Sequence, residues 1–354
     1  MKDIAGRIAL IAGSLLVGLI LLELGVRLSQ GPEGLTHWPN LVLEERVRRA
    51  GDSRMIYDAH LGFVPRPGLS KDGLHYDDHG FRLSPTAPTS ASTAPLTEPP
   101  LLVVGDSFAH GDEVSDGETW PARLQALTGR RVVNAGVSAY GIDQTVLRAE
   151  SVAAGIKPAV LILGFIADDI RRSQMKRTWG TEKPYFVLEN GRLVLRNVPV
   201  PPSPRPADTL SIWQRLFGRS RLVDFVLRRL GWQYEWALDH VRVLSPREGE
   251  ELLCPLMRRV ADLRLPTLVV AEYDSYVWRD PGYAPVIRAM SDKVLACAAA
   301  AGLATLDMFD PMEAAVKKHG IEALYRVAHP GPEGTRLAAE RIAAELEKRR
   351  MLPR

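Results

Sequence analysis

Cysteine is nearly absent from this chain. Cys254 and Cys297 are the only two in 354 residues, too few for a disulfide framework and without metal-ligand spacing. Both fall in predicted helices. They read as two buried free thiols, with a single disulfide as the alternative in an oxidising compartment. A dominant charge sign is also lacking. The 45 basic and 42 acidic residues leave a net charge of +3, which argues against nucleic acid as a partner. No basic stripe precedes the C-terminal helix, and the run Glu347-Lys348-Arg349-Arg350 reads as its solvated end. Internal repeats are missing, which excludes solenoids and propellers.

Long apolar runs are scarce too, with one exception. Residues 8–28, IALIAGSLLVGLILLELGVRL, follow Lys2 and Arg7. As a helix this stretch is about 31 Å long, close to the hydrocarbon thickness of a bilayer. A signal peptide is the competing reading, but the flank Gly25 to Gln30 lacks a small-x-small cleavage site. The reading adopted is an uncleaved anchor, with the N-terminus cytoplasmic and the main domain outside. In a bacterium that places a single-pass chain in the inner membrane, facing the periplasm. Glu23 lies toward the outer end of the span. Spaced i,i+4 with Arg27, it reads as one half of an ion pair near an interface; contact with a partner helix is the alternative.

Three regions follow, 1–30 being the anchor. Residues 31–100 form a connector with a short helix around 43–49, an irregular Gly/Pro/His/Asp-rich hairpin at 57–82, and a Pro/Ser/Thr/Ala loop at 84–100. Residues 101–354 alternate strand and helix. Apolar runs at 101–104, 131–135, 158–163, 266–271 and 303–306 are separated by helical patterns at about 119–128, 142–155, 247–263 and 285–301. This alternation predicts a parallel sheet covered on both faces. Pro121 fits the first turn of its helix, and Gly155 and Gly302 fit helix ends. An insertion at about 184–244 carries a hairpin around Asn190-Gly191. It continues into a helical, aromatic and basic stretch with Trp213, Phe217, Phe225, Trp232, Tyr234 and Trp236. Packing is the favoured reading for these rings, against a carbohydrate platform or a membrane-facing cap.

The chemistry concentrates at Val103-Val104-Gly105-Asp106-Ser107-Phe108-Ala109-His110-Gly111. Ser107 lies on the turn leaving a strand's carboxyl end, where open α/β sheets place their sites. A serine hydroxyl needs a neighbouring base to become a nucleophile. Asp106 reads as a turn residue that satisfies backbone N–H groups. His110 reads as a surface or packing histidine, and Asp112, Glu113 and Asp116 as a solvated acidic rim. His60, His75 and His79 lie among aspartates, but their spacing matches no defined metal pattern. Neither a metal nor a cofactor is expected.

The order Gly105-Asp106-Ser107, Val133-Asn134-Ala135-Gly136, Ile162-Leu163-Gly164 through Asp168-Asp169, and His329-Pro330 resembles the SGNH, or GDSL, hydrolase superfamily. The stretches HYDDHGFRL and KPYFVLENGRLVLRNVPVP resemble its membrane-anchored bacterial members. The resemblance implies a flavodoxin-like three-layer α/β/α sandwich behind the transmembrane helix. It implies Ser107 as nucleophile, His329 as base, and backbone N–H groups of Ser107 and Gly136 in the oxyanion hole. Two departures stand out. Asp168 replaces the asparagine whose side chain completes the hole. Arg326 stands three residues before His329, where the family carries its aspartate, so the triad acid is unknown. Asp307, Asp310 and Glu333 are the carboxylates nearby in sequence.

Two functions follow. One is a membrane-anchored serine esterase or acyltransferase acting on acyl esters, chiefly O-acetyl groups, of cell-surface polysaccharide. The other is a catalytically inactive SGNH-fold subunit of an integral-membrane complex, motivated by the missing asparagine and aspartate. The expected partners are the membrane, integral-membrane proteins and polysaccharide.

Overall fold

The computed structural model describes residues 2–50, 53–84 and 98–352. The chain forms two compact units, one of Met1–Asp52, Arg177–Thr181 and Ser203–Val241, the other of Ser53–Lys176, Glu182–Pro202 and Arg242–Arg354. This partition differs from the sequence reading. Residues 31–52 and the helical part of the insertion group with the N-terminal helix. Most of the loop expected at 84–100 lies outside the described residues.

The larger unit is built on five strands: β1 (Leu101–Val104), β2 (Val132–Asn134), β3 (Val160–Phe165), β4 (Thr267–Ala271) and β5 (Ala304–Asp307). They form one sheet in the order β5-β4-β3-β1-β2, with every neighbouring pair parallel. Residues of β1, β3 and β4 are buried throughout, as their unbroken apolar runs require of strands covered on both faces. Helix Trp120–Thr128 packs with Pro332–Lys348, and helix Leu253–Ala261 packs with both Ile142–Ile156 and Tyr283–Ala300. These two groups cover the sheet and make the three-layer α/β/α arrangement. The strand order is the flavodoxin-like one, whose topological switch lies between β1 and β3.

Local departures from the sequence reading have physical causes. Pro158 and Pro266 stand just outside β3 and β4, because proline has no N–H for a ladder. The helix expected to close near Gly155 runs on to Ile156, and Lys157 takes the left-handed cap at φ 48°. The predicted helix 247–263 is two pieces, Pro246–Glu251 and Leu253–Ala261. The hairpin is present, with Tyr185–Glu189 antiparallel to Arg192–Arg196. Its turn residues Asn190 and Gly191 both have positive φ, as a type I′ turn demands.

In the smaller unit, helix Lys2–Ser29 exposes its apolar side chains from Ile8 to Leu22. Arg27 is fully buried. Its Nε donates to Glu23 Oε1 at 2.6 Å, and its other nitrogens donate to the carbonyls of Gly34, His37 and Arg219. The guanidinium also lies 3.5 Å from the centre of the Trp38 ring. Glu23 does more than pair with Arg27. It accepts the Ser220 hydroxyl at 2.7 Å and the backbone N–H groups of Arg221 and Leu222 at 3.0 and 2.9 Å. Its partner helix is therefore Arg221–Arg229 of the same chain. The aromatic segment does not pack as expected, since Trp213, Phe217, Phe225 and Trp232 are exposed.

Cys254 and Cys297 are joined in a disulfide, so the reading as free thiols is corrected. The bridge ties helix Leu253–Ala261 to helix Tyr283–Ala300 across 43 residues. Cross-linking a loop of that size restricts the unfolded chain by about 2–4 kcal/mol. The Cys254→Ser/Cys297→Ser double variant is expected to lower the unfolding free energy from denaturant titration by that amount, and reduction of the native protein should reproduce the loss. Equal unfolding free energies for oxidised and reduced protein would show that the bridge adds no stability.

Candidate active site

The serine is positioned by the strand end that precedes it. β1 ends at Val104, and Gly105 lets the chain turn tightly. A Cβ at Gly105 would sit 2.7 Å from the Gly164 carbonyl oxygen on β3. Asp106 then caps a one-turn helix, Ser107–His110, by accepting the Phe108 N–H at 2.9 Å. Ser107 opens that turn and is 6% exposed. Its hydroxyl lies 2.9 Å from His329 Nε2.

His329 comes from 222 residues further along the chain, in the loop before helix Pro332–Lys348. The loop is closed by Arg326 N–H donating to the His329 carbonyl at 3.1 Å and Gly331 N–H donating to the Leu324 carbonyl at 2.8 Å. The imidazole leans on Phe108, ring centres 5.0 Å apart. Its Nδ1 lies 3.1 Å from Glu113 Oε1, and Glu113 Oε2 accepts the Val327 N–H at 3.1 Å. Ser107, His329 and Glu113 thus form a continuous hydrogen-bonded chain. Asp307, Asp310 and Glu333 are engaged elsewhere: Asp307 with Tyr273, Asp310 with Arg288, and Glu333 with Arg336. Exposed Arg326 contributes its backbone to the loop.

Glu113 is the residue the sequence reading missed, having grouped it with a solvated rim. Its φ is +68°, a left-handed conformation uncommon outside glycine. Buried polar contacts hold the turn there. Arg82 clamps it, donating to the carbonyls of His110 and Val114 at 3.0 and 2.7 Å and to Asp116 at 2.8 Å. His75 Nδ1 meets the other oxygen of Asp116 at 2.6 Å. His110 is buried, not on the surface, with Nδ1 2.6 Å from Asp112 and Nε2 2.7 Å from the Tyr76 hydroxyl. Ser138 donates to Asp112 at 2.7 Å. Burial would raise the Asp112 pKa, but the His110 hydrogen bond and charge outweigh it and hold the carboxyl well below the usual range.

Behind the serine lies a buried charge cluster. Arg172 Nη1 is 2.6 Å from Asp169, 3.3 Å from Asp106 and 3.1 Å from the Tyr140 carbonyl. Its Nη2 is 3.0 Å from Asp168. Asp106 and Asp169 are completely buried. Burial raises both carboxyls, and repulsion from Asp106 raises Asp169 further, while Arg172 opposes both shifts. Glu272, just past β4, is buried beside Gly164, and burial followed by repulsion from Asp106 pushes its carboxyl well up.

The two oxyanion candidates are placed differently. Gly136 packs against the nucleophile's turn, where a Cβ would come within 2.5 Å of the His110 nitrogen. Its N–H donates to Asn134 Oδ1 at 3.1 Å. Asp168 is held by Arg171 at 2.6 Å as well as by Arg172. An ionised carboxylate only accepts hydrogen bonds, so Asp168 does not supply the donor that an asparagine would.

Comparison with known proteins gives a family and a set of remote structural likenesses. No curated protein matches the chain. LAE5, an α/β hydrolase enzyme from the metagenome of Lake Arreo, Spain, is 16% identical with a TM-score of 0.46, over 71% of this chain and 95% of that one. A catalytic mutant of Axe2, an acetylxylan esterase from Geobacillus stearothermophilus, is 16% identical with a TM-score of 0.44, over 70% of this chain and 94% of that one. The esterase EstA from Pseudoalteromonas sp. is 10% identical with a TM-score of 0.38, over 71% and 98%. The model of the GDSL-like lipase/acylhydrolase family matches residues 103–337, which include Ser107, Glu113, Gly136, Asp168 and His329. On that match the chain belongs to the GDSL-like lipase/acylhydrolase family, within the SGNH hydrolase superfamily.

Proposed function

We infer that this protein is a serine esterase or acyltransferase, anchored in the bacterial inner membrane by its N-terminal helix and facing the periplasm. Its substrates on this reading are acyl esters, chiefly O-acetyl groups, of cell-surface carbohydrate. The hydrogen-bonded chain from Ser107 through His329 to Glu113 carries the catalytic part of the reading. The apolar helix with Lys2 and Arg7 before it supports the anchor and its orientation. The Cys254–Cys297 disulfide supports an oxidising compartment. The carbohydrate ester rests on the resemblance of residues 75–83 and 183–201 to membrane-anchored bacterial members.

In the first half-reaction the Ser107 oxygen attacks the acyl carbonyl while His329 Nε2 takes the hydroxyl proton. Glu113 accepts from Nδ1–H, fixes the tautomer and stabilises the imidazolium. Backbone N–H groups of Ser107 and Gly136 receive the developing oxyanion, the latter by exchanging its bond to Asn134. Collapse of the tetrahedral adduct breaks the ester C–O bond, and His329 returns the proton to the departing sugar hydroxyl. Water or a second sugar hydroxyl then attacks the acyl-serine, with His329 again acting first as base and then as acid.

One observation favours a second reading, a non-catalytic subunit of a membrane complex. Asp168, ion-paired to Arg171 and Arg172, stands where the family places a donor.

A fluorophosphonate probe on the full-length protein in detergent separates the two. Labelling at Ser107, lost in Ser107→Ala and His329→Ala, is the expected result; an unlabelled, folded protein would establish the second reading. With p-nitrophenyl acetate as substrate, Glu113→Gln is expected to lower kcat roughly 10²- to 10⁴-fold with little change in KM. Undiminished turnover in that variant would remove Glu113 from the mechanism.

The Asp112 shift sets a pH dependence. A depressed folded pKa stabilises the protein above the unfolded value, about 4, and that contribution disappears as pH falls through the folded value. The difference in Tm between the native protein and Asp112→Asn should therefore be full at neutral pH and shrink below about pH 4. A difference that is constant through this range would mean that Asp112 is not held ionised by His110.

A further inference from the structure

Residues 211–230 leave a broad apolar surface on the unit that contains the N-terminal helix. In helix Ile212–Phe217, the positions Ile212, Trp213, Leu216 and Phe217 share one helix face by their spacing. Trp213 and Leu216 are 62% and 61% exposed, and the Trp213 and Phe217 rings stack 6.0 Å apart. The next helix, Arg221–Arg229, adds exposed Phe225 and, just past its end, exposed Leu230. Contiguous exposed aromatic and aliphatic side chains of this kind mark a surface that is covered by something else.

We propose that this surface lies in the outer leaflet of the bilayer crossed by the N-terminal helix, its apolar side chains at the acyl boundary and its arginines on anionic lipid phosphates. The inference rests on the anchor reading above.

Three observations choose lipid as the occupant. The first is depth. Glu23 pins the start of helix Arg221–Arg229 through its bonds to Ser220, Arg221 and Leu222. Glu23 is six residues below Ser29, the end of the membrane helix, which is about 9 Å along the axis. Interfacial helices bury their apolar face about 5–10 Å into the headgroup and acyl boundary. The attachment point is therefore already at the level such a helix occupies. The second is continuity. The pinned helix is held on the same N-terminal helix that exposes its apolar side chains from Ile8 to Leu22, so the two apolar surfaces share one attachment. The third is charge. Residues 211–230 contain five arginines, at 215, 219, 221, 228 and 229, against the single acid Asp224. Arginine flanking Trp, Phe and Leu is the composition of helices that lie on anionic membranes.

The test uses the full chain, whose native cysteines are both in the disulfide. Single cysteines replace Leu16 in the membrane helix, Trp213 and Leu230. Each variant is nitroxide-labelled and reconstituted into vesicles of phosphatidylcholine and phosphatidylglycerol. Power saturation then compares accessibility to oxygen, which concentrates in lipid, with accessibility to a water-soluble nickel chelate. All three labels are expected to be oxygen-accessible and nickel-poor, with the labels at 213 and 230 shallower than the one at 16. A lipid signature at 16 with a nickel-accessible signature at 213 and 230 overturns the inference and leaves the anchor standing. Labels at 213 and 230 that neither reagent reaches would show a protein partner on this surface, which also overturns it. A label at 16 that nickel reaches removes the anchor itself and the inference with it.

Discussion

The geometry of the candidate site hangs on one hydrogen bond, from His329 Nδ1–H to the Glu113 carboxylate, between residues 216 apart in sequence. An imidazole in a surface loop has two tautomers and a freely turning ring. Only the one with a proton on Nδ1 and a bare Nε2 facing Ser107 accepts the serine proton. Glu113 selects that form. It also holds the histidine loop itself, through the Val327 N–H. The left-handed backbone at Glu113 costs about 1–2 kcal/mol. Arg82 and the Tyr76–His110–Asp112–Ser138 network supply the buried contacts that hold it there. Strain concentrated beside a reactive group and offset by its surroundings is a common device of active sites.

Arg172 does the corresponding work behind the serine. A single guanidinium reaches Asp106 after β1, the Tyr140 carbonyl after β2, and Asp168 and Asp169 after β3. Burial disfavours its charge, but three carboxylates outweigh that and raise its pKa. The loops at the switch point are thus tied to one fixed positive charge. Asp168 is part of that tie. As a carboxylate paired to Arg171 and Arg172 it completes an electrostatic clamp, where the family's asparagine would present a neutral amide.

Much of this fold is readable from residue order. Buried parallel strands are continuous apolar runs, the hairpin is announced by Asn190-Gly191, and the serine follows a strand into a glycine turn. The elements that resist reading are those fixed by contacts distant in sequence. Glu113 has the composition of a solvated rim, and only the return of the chain at His329 gives it a partner. His110 looks like a loop histidine because Tyr76, which buries it, lies 34 residues earlier. The disulfide depends on two helices meeting across the layer. For residues 211–236, a repeating apolar face says that something is covered without saying whether protein or lipid covers it.

The placement of Glu113 redistributes constraint along the chain. In the family pattern the acid and the base share one short loop near the C-terminus. Here the candidate nucleophile and candidate acid lie within seven consecutive residues, 107–113, and the distal loop brings an imidazole and a backbone N–H to them. The position three before His329 holds an exposed arginine. A search for relatives keyed to Asp-x-x-His would pass over proteins wired this way. One keyed to an acid six residues after the serine, together with an arginine positioned to clamp the turn, would gather them.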